Sequence, residues 1–91
     1  MESLNKLYCK AQASPHNLLF EELCLLVEKA GFVFKRQMGT SHRIYKHPNI
    51  KDPLDCYGML NIQADKGKAK ASQVKTAVNL IDRYELLKTE E

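Results

Sequence analysis

The apolar residues between Phe20 and Ala30 recur at helical spacing and then stop at a glycine. One helical stripe is formed by Phe20, Leu23, Cys24 and Val27. Gly31 follows as a natural C-terminal stop, because glycine adopts the left-handed conformation that ends many helices. The sequence therefore predicts an amphipathic helix that buries one stripe against another layer of structure.

The residues after Gly31 are typical of strands. Residues 32–38 and 41–47 are rich in aromatic and branched side chains, and Gly39 and Thr40 separate them, which predicts a β-hairpin. Two prolines bracket a loop, and residues 57–63 then alternate with period two. Strands joined by short connections pair as an antiparallel sheet, so we expect three antiparallel strands with helices on one face.

Two further helices are predicted at the ends of the chain. Residues 3–13 carry an apolar stripe of Leu4, Leu7, Tyr8 and Ala11, and residues 14–17 break this helix. A last helix carries Val74, Ala77, Val78 and Ile81 and runs to about Leu87. We expect one α+β domain over residues 1–91, with an additional N-terminal helix in 1–14 and a core in 18–87.

The alternation in the strands predicts which side chains remain in solvent. If Ile44, Leu60 and Ile62 face the helices, the opposite side carries the remaining strand residues. Those residues are Arg43, Tyr45, Asn61 and Gln63. A face with cationic, planar and amide groups can contact RNA, although such faces are also polar for solubility alone.

Length and composition limit the protein class. With 91 residues, 44% of them hydrophobic and 27% charged, the chain suits one small globular domain with a shallow site. The apolar runs are far shorter than the ~18 residues that cross a bilayer. A secretory signal pattern is also absent from the first residues, so we expect a cytoplasmic protein without membrane contact, with its three cysteines as reduced thiols.

The positive charge is concentrated in the middle of the chain. Residues 35–75 hold nine basic and three acidic side chains, a balance of +6, against −1 for residues 1–34 and −2 for residues 76–91. Clustered lysine and arginine favour a polyanionic partner, since they release counterions from phosphates. A solvated surface segment is the other interpretation of such a cluster.

Three stretches of this sequence resemble one protein family. They are residues 28–32 (Glu-Lys-Ala-Gly-Phe), residues 39–45 (Gly-Thr-Ser-His-Arg-Ile-Tyr) and the pair His47-Pro48. Together they are similar to the HicA family of toxin–antitoxin ribonucleases, over roughly residues 18–87. The Gly-Thr-Ser-His turn is one residue longer than the common Gly-Ser-His turn of that family, and the third strand lacks its frequent Pro-Arg-His ending.

The resemblance implies both a fold and an activity. It implies the α-β-β-β-α fold of double-stranded-RNA-binding domains, here with an extra N-terminal helix. It also implies a metal-independent mRNA endonuclease without a cofactor, held inactive by a HicB-type antitoxin. The histidine of the turn, His42, would be the catalytic residue.

The other candidate site residues follow from their chemistry. Imidazole transfers protons near neutral pH, which suits His42 for RNA cleavage, whereas His47 and His16 are better explained as structural residues. Lys66, Lys68, Lys70 and Lys75 surround the start of the last helix, where amides and dipole favour phosphate. Arg43 and Tyr45 are further candidate RNA contacts, and no metal-ligand spacing is present.

Three functions remain open from the sequence. The first is the HicA-like mRNA endonuclease. The second is a non-catalytic RNA-binding module of the same fold, and the third is a protein-interaction domain whose basic patch docks an acidic partner, because fold does not fix function.

Overall fold

The computed structural model describes residues 4–39 and 42–87, with side chains from Lys6 onward. Its helices and strands are α1 (Leu4–Ala13), α2 (Phe20–Lys29), β1 (Val33–Met38), β2 (His42–Lys46), β3 (Met59–Asp65), β4 (Lys68–Ala69) and α3 (Ala71–Tyr84). Short 3-10 segments at Pro15–Asn17 and Pro53–Gly58 join α1 to α2 and β2 to β3. The predicted α+β class and element order are confirmed.

The sheet contains one strand more than the sequence predicts. Its order is β1-β2-β3-β4, with every neighbouring pair antiparallel. The predicted basic connector at residues 66–70 contains the two-residue β4, which follows a tight turn at Lys66 and Gly67, both with positive φ. Positive φ at both central residues is the requirement of the commonest two-residue hairpin turn.

The three helices cover one face of the sheet and enclose the core. The fully buried side chains of the helices include Leu7, Leu23, Leu26, Val27, Val74, Ala77 and Ile81, and those of the sheet include Tyr45, Leu60 and Ile62. The N-terminal helix is part of this core, because Leu7 and Ala11 of α1 are each 1% exposed. Lys10 ties α1 to α2 through a 3.0 Å ion pair with Glu22. The side chain of Leu4 lies outside the described residues.

The ends of two elements differ from the prediction. α3 ends at Tyr84, three residues before the predicted end, because Glu85 takes the left-handed conformation. Leu86 and Leu87 nevertheless pack against the core. β3 begins at Met59 because Tyr57 and Gly58 belong to the preceding 3-10 segment.

The predicted orientation of β2 is wrong. Tyr45 is fully buried and pairs with Leu60, so both face the helices, as does Arg43 opposite Ile62. Ile44 instead pairs with the exposed Asn61 on the uncovered side of the sheet. We call this uncovered side the open face. Tyr45 can be buried on the helix side because its hydroxyl donates a hydrogen bond to the Glu28 carboxylate there.

Candidate active site

His42 lies on the open face, at the first residue of the central strand β2. It pairs with Met38 of β1 and with Gln63 of β3, and its side chain is partly exposed. Regular alternation places His42 on the same face as Ile44. His42 therefore lies on the open face together with Ile44, because β2 has the orientation opposite to the predicted one. Thr40 and Ser41, the preceding turn residues, lie outside the described residues.

Arg36 is a cationic neighbour of His42 that sequence reasoning missed. A β-bulge between Phe34 and Arg36 shifts the register of β1, so that Arg36 pairs with Ile44 while Met38 pairs with His42. Arg36 is thus the diagonal neighbour of His42, at a typical separation of ~7–8 Å between strands. A long guanidinium side chain spans such a distance. No sequence pattern predicted this bulge.

Three of the four predicted lysines lie at the same end of the sheet as His42. Gln63, the partner of His42, is followed along β3 by the Asp65 that pairs with Lys68. Lys66, Lys68 and Lys70 line one open cavity, together with His16 and Asp65. Lys70 also occupies the N-cap position of α3, without a capping hydrogen bond from its side chain. The structure thus brings the lysines near His42 through the β3–β4 hairpin.

Lys75 belongs to a different surface. It lines a shallow groove with Gln12 of α1 and Pro15, on the side where α1 meets α3. The helical rotation from Lys70 to Lys75 turns its side chain away from the hairpin lysines. His16, assigned a structural role from the sequence, is exposed and lies beside those hairpin lysines instead.

Arg43 and Tyr45 form a polar cluster beneath α2. The Tyr45 hydroxyl donates a 2.7 Å hydrogen bond to Glu28, and an Arg43 guanidinium nitrogen lies 3.5 Å from the Cys24 sulfur. The guanidinium also lies between two aromatic rings, 5.6 Å from the centroid of Phe20 and 5.9 Å from that of Phe34. Burial, and then the bond to Glu28, raise the pKa of Tyr45. Since Tyr45 is 0% exposed, its ring has no surface on which a base can stack.

His47 is a buried structural residue. Its Nε2 lies 3.1 Å from the Ala30 carbonyl oxygen, and its Nδ1 accepts a hydrogen bond from the Asn49 amide. The ring also packs edge-on against Phe32 at 5.0 Å between centroids. Both nitrogens are engaged by backbone, so the imidazole joins the end of α2 to the loop after β2.

Within residues 4–39 and 42–87, no group of three or more His, Cys, Asp or Glu side chains is arranged to hold a metal ion. No helix in the same ranges is long and apolar enough to span a bilayer.

Comparison with known proteins identifies one family. The family model described as the HicA toxin of bacterial toxin–antitoxin systems matches residues 20–56. This stretch begins with α2, includes β1 and the His42 strand β2, and ends in the loop before β3. Searches of curated proteins and of solved structures gave no match. The resemblance predicted from the sequence is confirmed over this stretch, and residues 20–56 are similar to the HicA toxins of bacterial toxin–antitoxin systems.

Proposed function

We propose that this toxin-family protein is an mRNA endoribonuclease in which His42 acts as the general acid–base. The observation that carries the proposal is the position of His42: an imidazole on the open face of the central strand, inside the segment that matches the family. A substrate phosphate can approach it from solvent, whereas His47 is enclosed by backbone.

The chemistry requires proton transfer at two oxygens of RNA. The His42 imidazole accepts the proton of a 2′-hydroxyl as that oxygen attacks the adjacent phosphorus. The bond from phosphorus to the 5′-oxygen then breaks, and the imidazolium returns the proton to the leaving oxygen. This sequence yields a 2′,3′-cyclic phosphate and a free 5′-hydroxyl, with protons and charge balanced, and imidazole suits both transfers near neutral pH.

Cations around His42 would bind the substrate and its developing charge. Arg36, diagonal to His42, is the side chain suited to the reacting phosphate, because a guanidinium presents paired donors to phosphate oxygens. Lys66, Lys68 and Lys70 would hold phosphates farther along the strand. Arg43 and Lys75 lie outside this group, and the buried Tyr45 is not part of the proposed RNA surface.

The family also implies an antitoxin partner. We propose a HicB-type protein that covers the open face around His42 and thereby blocks access of RNA. That surface is accessible to a partner protein, because His42 is partly exposed and Arg36 and Asn61 are exposed.

The alternative is a non-catalytic RNA-binding module. Its support is the lysine cluster at the β3–β4 hairpin, which would bind RNA phosphates without any catalytic step. A protein-interaction domain that docks an acidic partner would use the same charges.

The deciding experiment is cleavage of RNA by the purified chain, freed of antitoxin, in the presence of EDTA. We expect cleavage by the wild type and its loss in His42→Ala, with folding and RNA binding retained because a partly exposed side chain contributes little to the core. Gln63→Ala is the matched control, since it removes the cross-strand neighbour of His42 on the same face.

Two results would contradict the assignment. If Gln63→Ala abolished cleavage as completely as His42→Ala, the loss would reflect a general disturbance of the surface. If the wild type bound RNA without cutting it, and His42→Ala behaved identically, the non-catalytic module would be the correct function.

A further inference from the structure

The open face carries a second basic site, at the opposite end of β2 from His42. A cavity of about 520 Å³ is lined there by Lys35, Lys46, Lys51, Tyr57, Val33 and Ile50, among others. We call it the distal pocket. Lysine ammonium groups, a phenol ring and an apolar floor are the components that bind a nucleotide through its phosphate and its base.

One of the three lysines, Lys35, lies at the β-bulge of β1. Lys35 is the extra, unpaired residue between Phe34, which pairs with Tyr45, and Arg36, which pairs with Ile44. Bulges redirect side chains, and here Lys35 lines the same cavity as Lys46 of the neighbouring strand. Residue 35 follows Val33 by two positions and shares its face, and the bulge then puts Arg36 on the open face as well, opposite Ile44.

Tyr57 is held over this cavity by a strained loop. Cys56, Tyr57 and Gly58 have consecutive positive φ values of 55°, 56° and 81°. Left-handed conformations are unfavourable in residues other than glycine, and they persist where surrounding contacts fix them. The Tyr57 carbonyl accepts a 2.7 Å hydrogen bond from Lys46, and the ring remains 55% exposed.

Contacts with α3 fix the base of the same loop. The Asp55 carboxylate accepts a 2.5 Å hydrogen bond from Tyr84 and a 2.6 Å contact from Arg83. Its neighbour Asp52 caps the loop by accepting from the Leu54 amide at 2.9 Å. The acidic side chains of the loop are thus engaged away from the distal pocket, whose lining contains no carboxylate.

The charge of the distal pocket favours an anion. Among the described residues, neither Lys35 nor Lys51 has an ion-pair partner, and Lys46 is bonded only to a neutral carbonyl. Three ammonium groups around one cavity raise the local positive potential, which phosphate oxygens would neutralise.

We propose that the distal pocket binds one unpaired nucleotide of a single-stranded RNA, with its base against Tyr57 and its phosphate between Lys35 and Lys51. The four residues from Lys46 to His42 span ~13 Å along β2. A single strand laid along the open face therefore reaches from the distal pocket to the imidazole. This inference rests on the proposed function, for which it names the substrate class and a positioning site.

The geometry selects a single strand over a duplex. Stacking on an aromatic ring requires an unpaired base with a free face, whereas the bases of a duplex stack on one another.

The test is binding of a fluorescently labelled, mixed-sequence RNA octamer to the full chain carrying His42→Ala, so that the RNA stays intact. Added to this background, Tyr57→Asn removes the ring at a residue type that tolerates positive φ, and we expect affinity to fall ~5- to 100-fold. Lys35→Ala and Lys51→Ala should each weaken binding and reduce the salt slope by ~0.7. Lys29→Ala, which removes the same charge from an exposed position on α2, should have little effect.

The outcomes separate this inference from the proposed function. Equal affinities for Lys35→Ala, Lys51→Ala and Lys29→Ala would overturn the distal pocket, even if the wild type cleaved RNA through His42. Weaker binding in the pocket variants would support it even if the wild type never cleaved. Equal affinity for the annealed duplex, or competition by hexaglutamate as strong as that by unlabelled RNA, would also overturn it, the latter in favour of an acidic protein partner.

Discussion

Substitution of Gly58 by alanine tests how tightly the loop before β3 is packed. Gly58 is buried, has φ of 81°, and lies where a Cβ atom would be 2.8 Å from the His47 carbonyl oxygen and 2.9 Å from Cβ of Ile50. Neither contact is a flexible side-chain end, so the backbone itself would have to move. Gly67 provides the matched control, because its φ is 82° and nothing lies within 4 Å of its added Cβ.

Two effects lower the free energy of unfolding: one acts in both variants, and the other acts only in Gly58→Ala. The left-handed conformation costs an alanine ~1–2 kcal/mol at either position. Overpacking adds ~1–3 kcal/mol at Gly58 alone. We therefore expect the free energy of unfolding to fall by ~1–2 kcal/mol in Gly67→Ala and by ~2–5 kcal/mol in Gly58→Ala. For a domain of this size, the difference corresponds to a Tm lower by at least ~4 °C.

Urea denaturation followed by far-ultraviolet circular dichroism measures both variants. The midpoint should shift more for Gly58→Ala while the slope m stays constant, because the surface exposed on unfolding does not change. Equal midpoints for the two variants would refute the reasoning, since they would mean that the space around Gly58 accommodates a methyl group. The loop that holds Tyr57 would then be far looser than the contacts to His47 and Ile50 indicate.

Two further predictions concern charge. Replacing Lys68 and Lys70 together by alanine should weaken RNA binding and lower its salt slope in a titration from 50 to 200 mM salt; an unchanged slope would remove both from the interface. Tyr84, followed by Arg83, lowers the pKa of Asp55, so this carboxylate stabilises the fold above the ordinary carboxyl pKa and loses that effect as pH falls through its lowered value. With urea midpoints measured from pH 7 to 2, the midpoint of Asp55→Asn should fall less at acid pH than that of the wild type. An equal fall in both proteins would contradict this assignment.

The candidate site was predictable from the sequence only in part. His42 and the lysines at residues 66–70 could be proposed from the sequence because imidazole chemistry, clustered charge and family resemblance are local properties of the chain. Arg36 was missed because the face on which it lies depends on a bulge that no local sequence pattern predicts. Arg43 and Tyr45 were found as polar strand residues but assigned to the wrong face.

The sequence by itself determined the order of the elements, apart from the two-residue β4, and the approximate ends of the main helices. Apolar spacing from Phe20 to Val27 and the stop at Gly31 fix α2, because helix periodicity and termination act over a few residues. The same locality explains why the β1–β2 hairpin and α3 were predicted within a few residues of their ends. The tertiary structure alone decided the orientation of β2: Ile44 and Tyr45 can each face a core, and the hydrogen bond from Tyr45 to Glu28, 17 residues away, favours the tyrosine. That choice puts His42 on the open face, because consecutive side chains of a strand point to opposite faces and the helices cover only one face of this sheet.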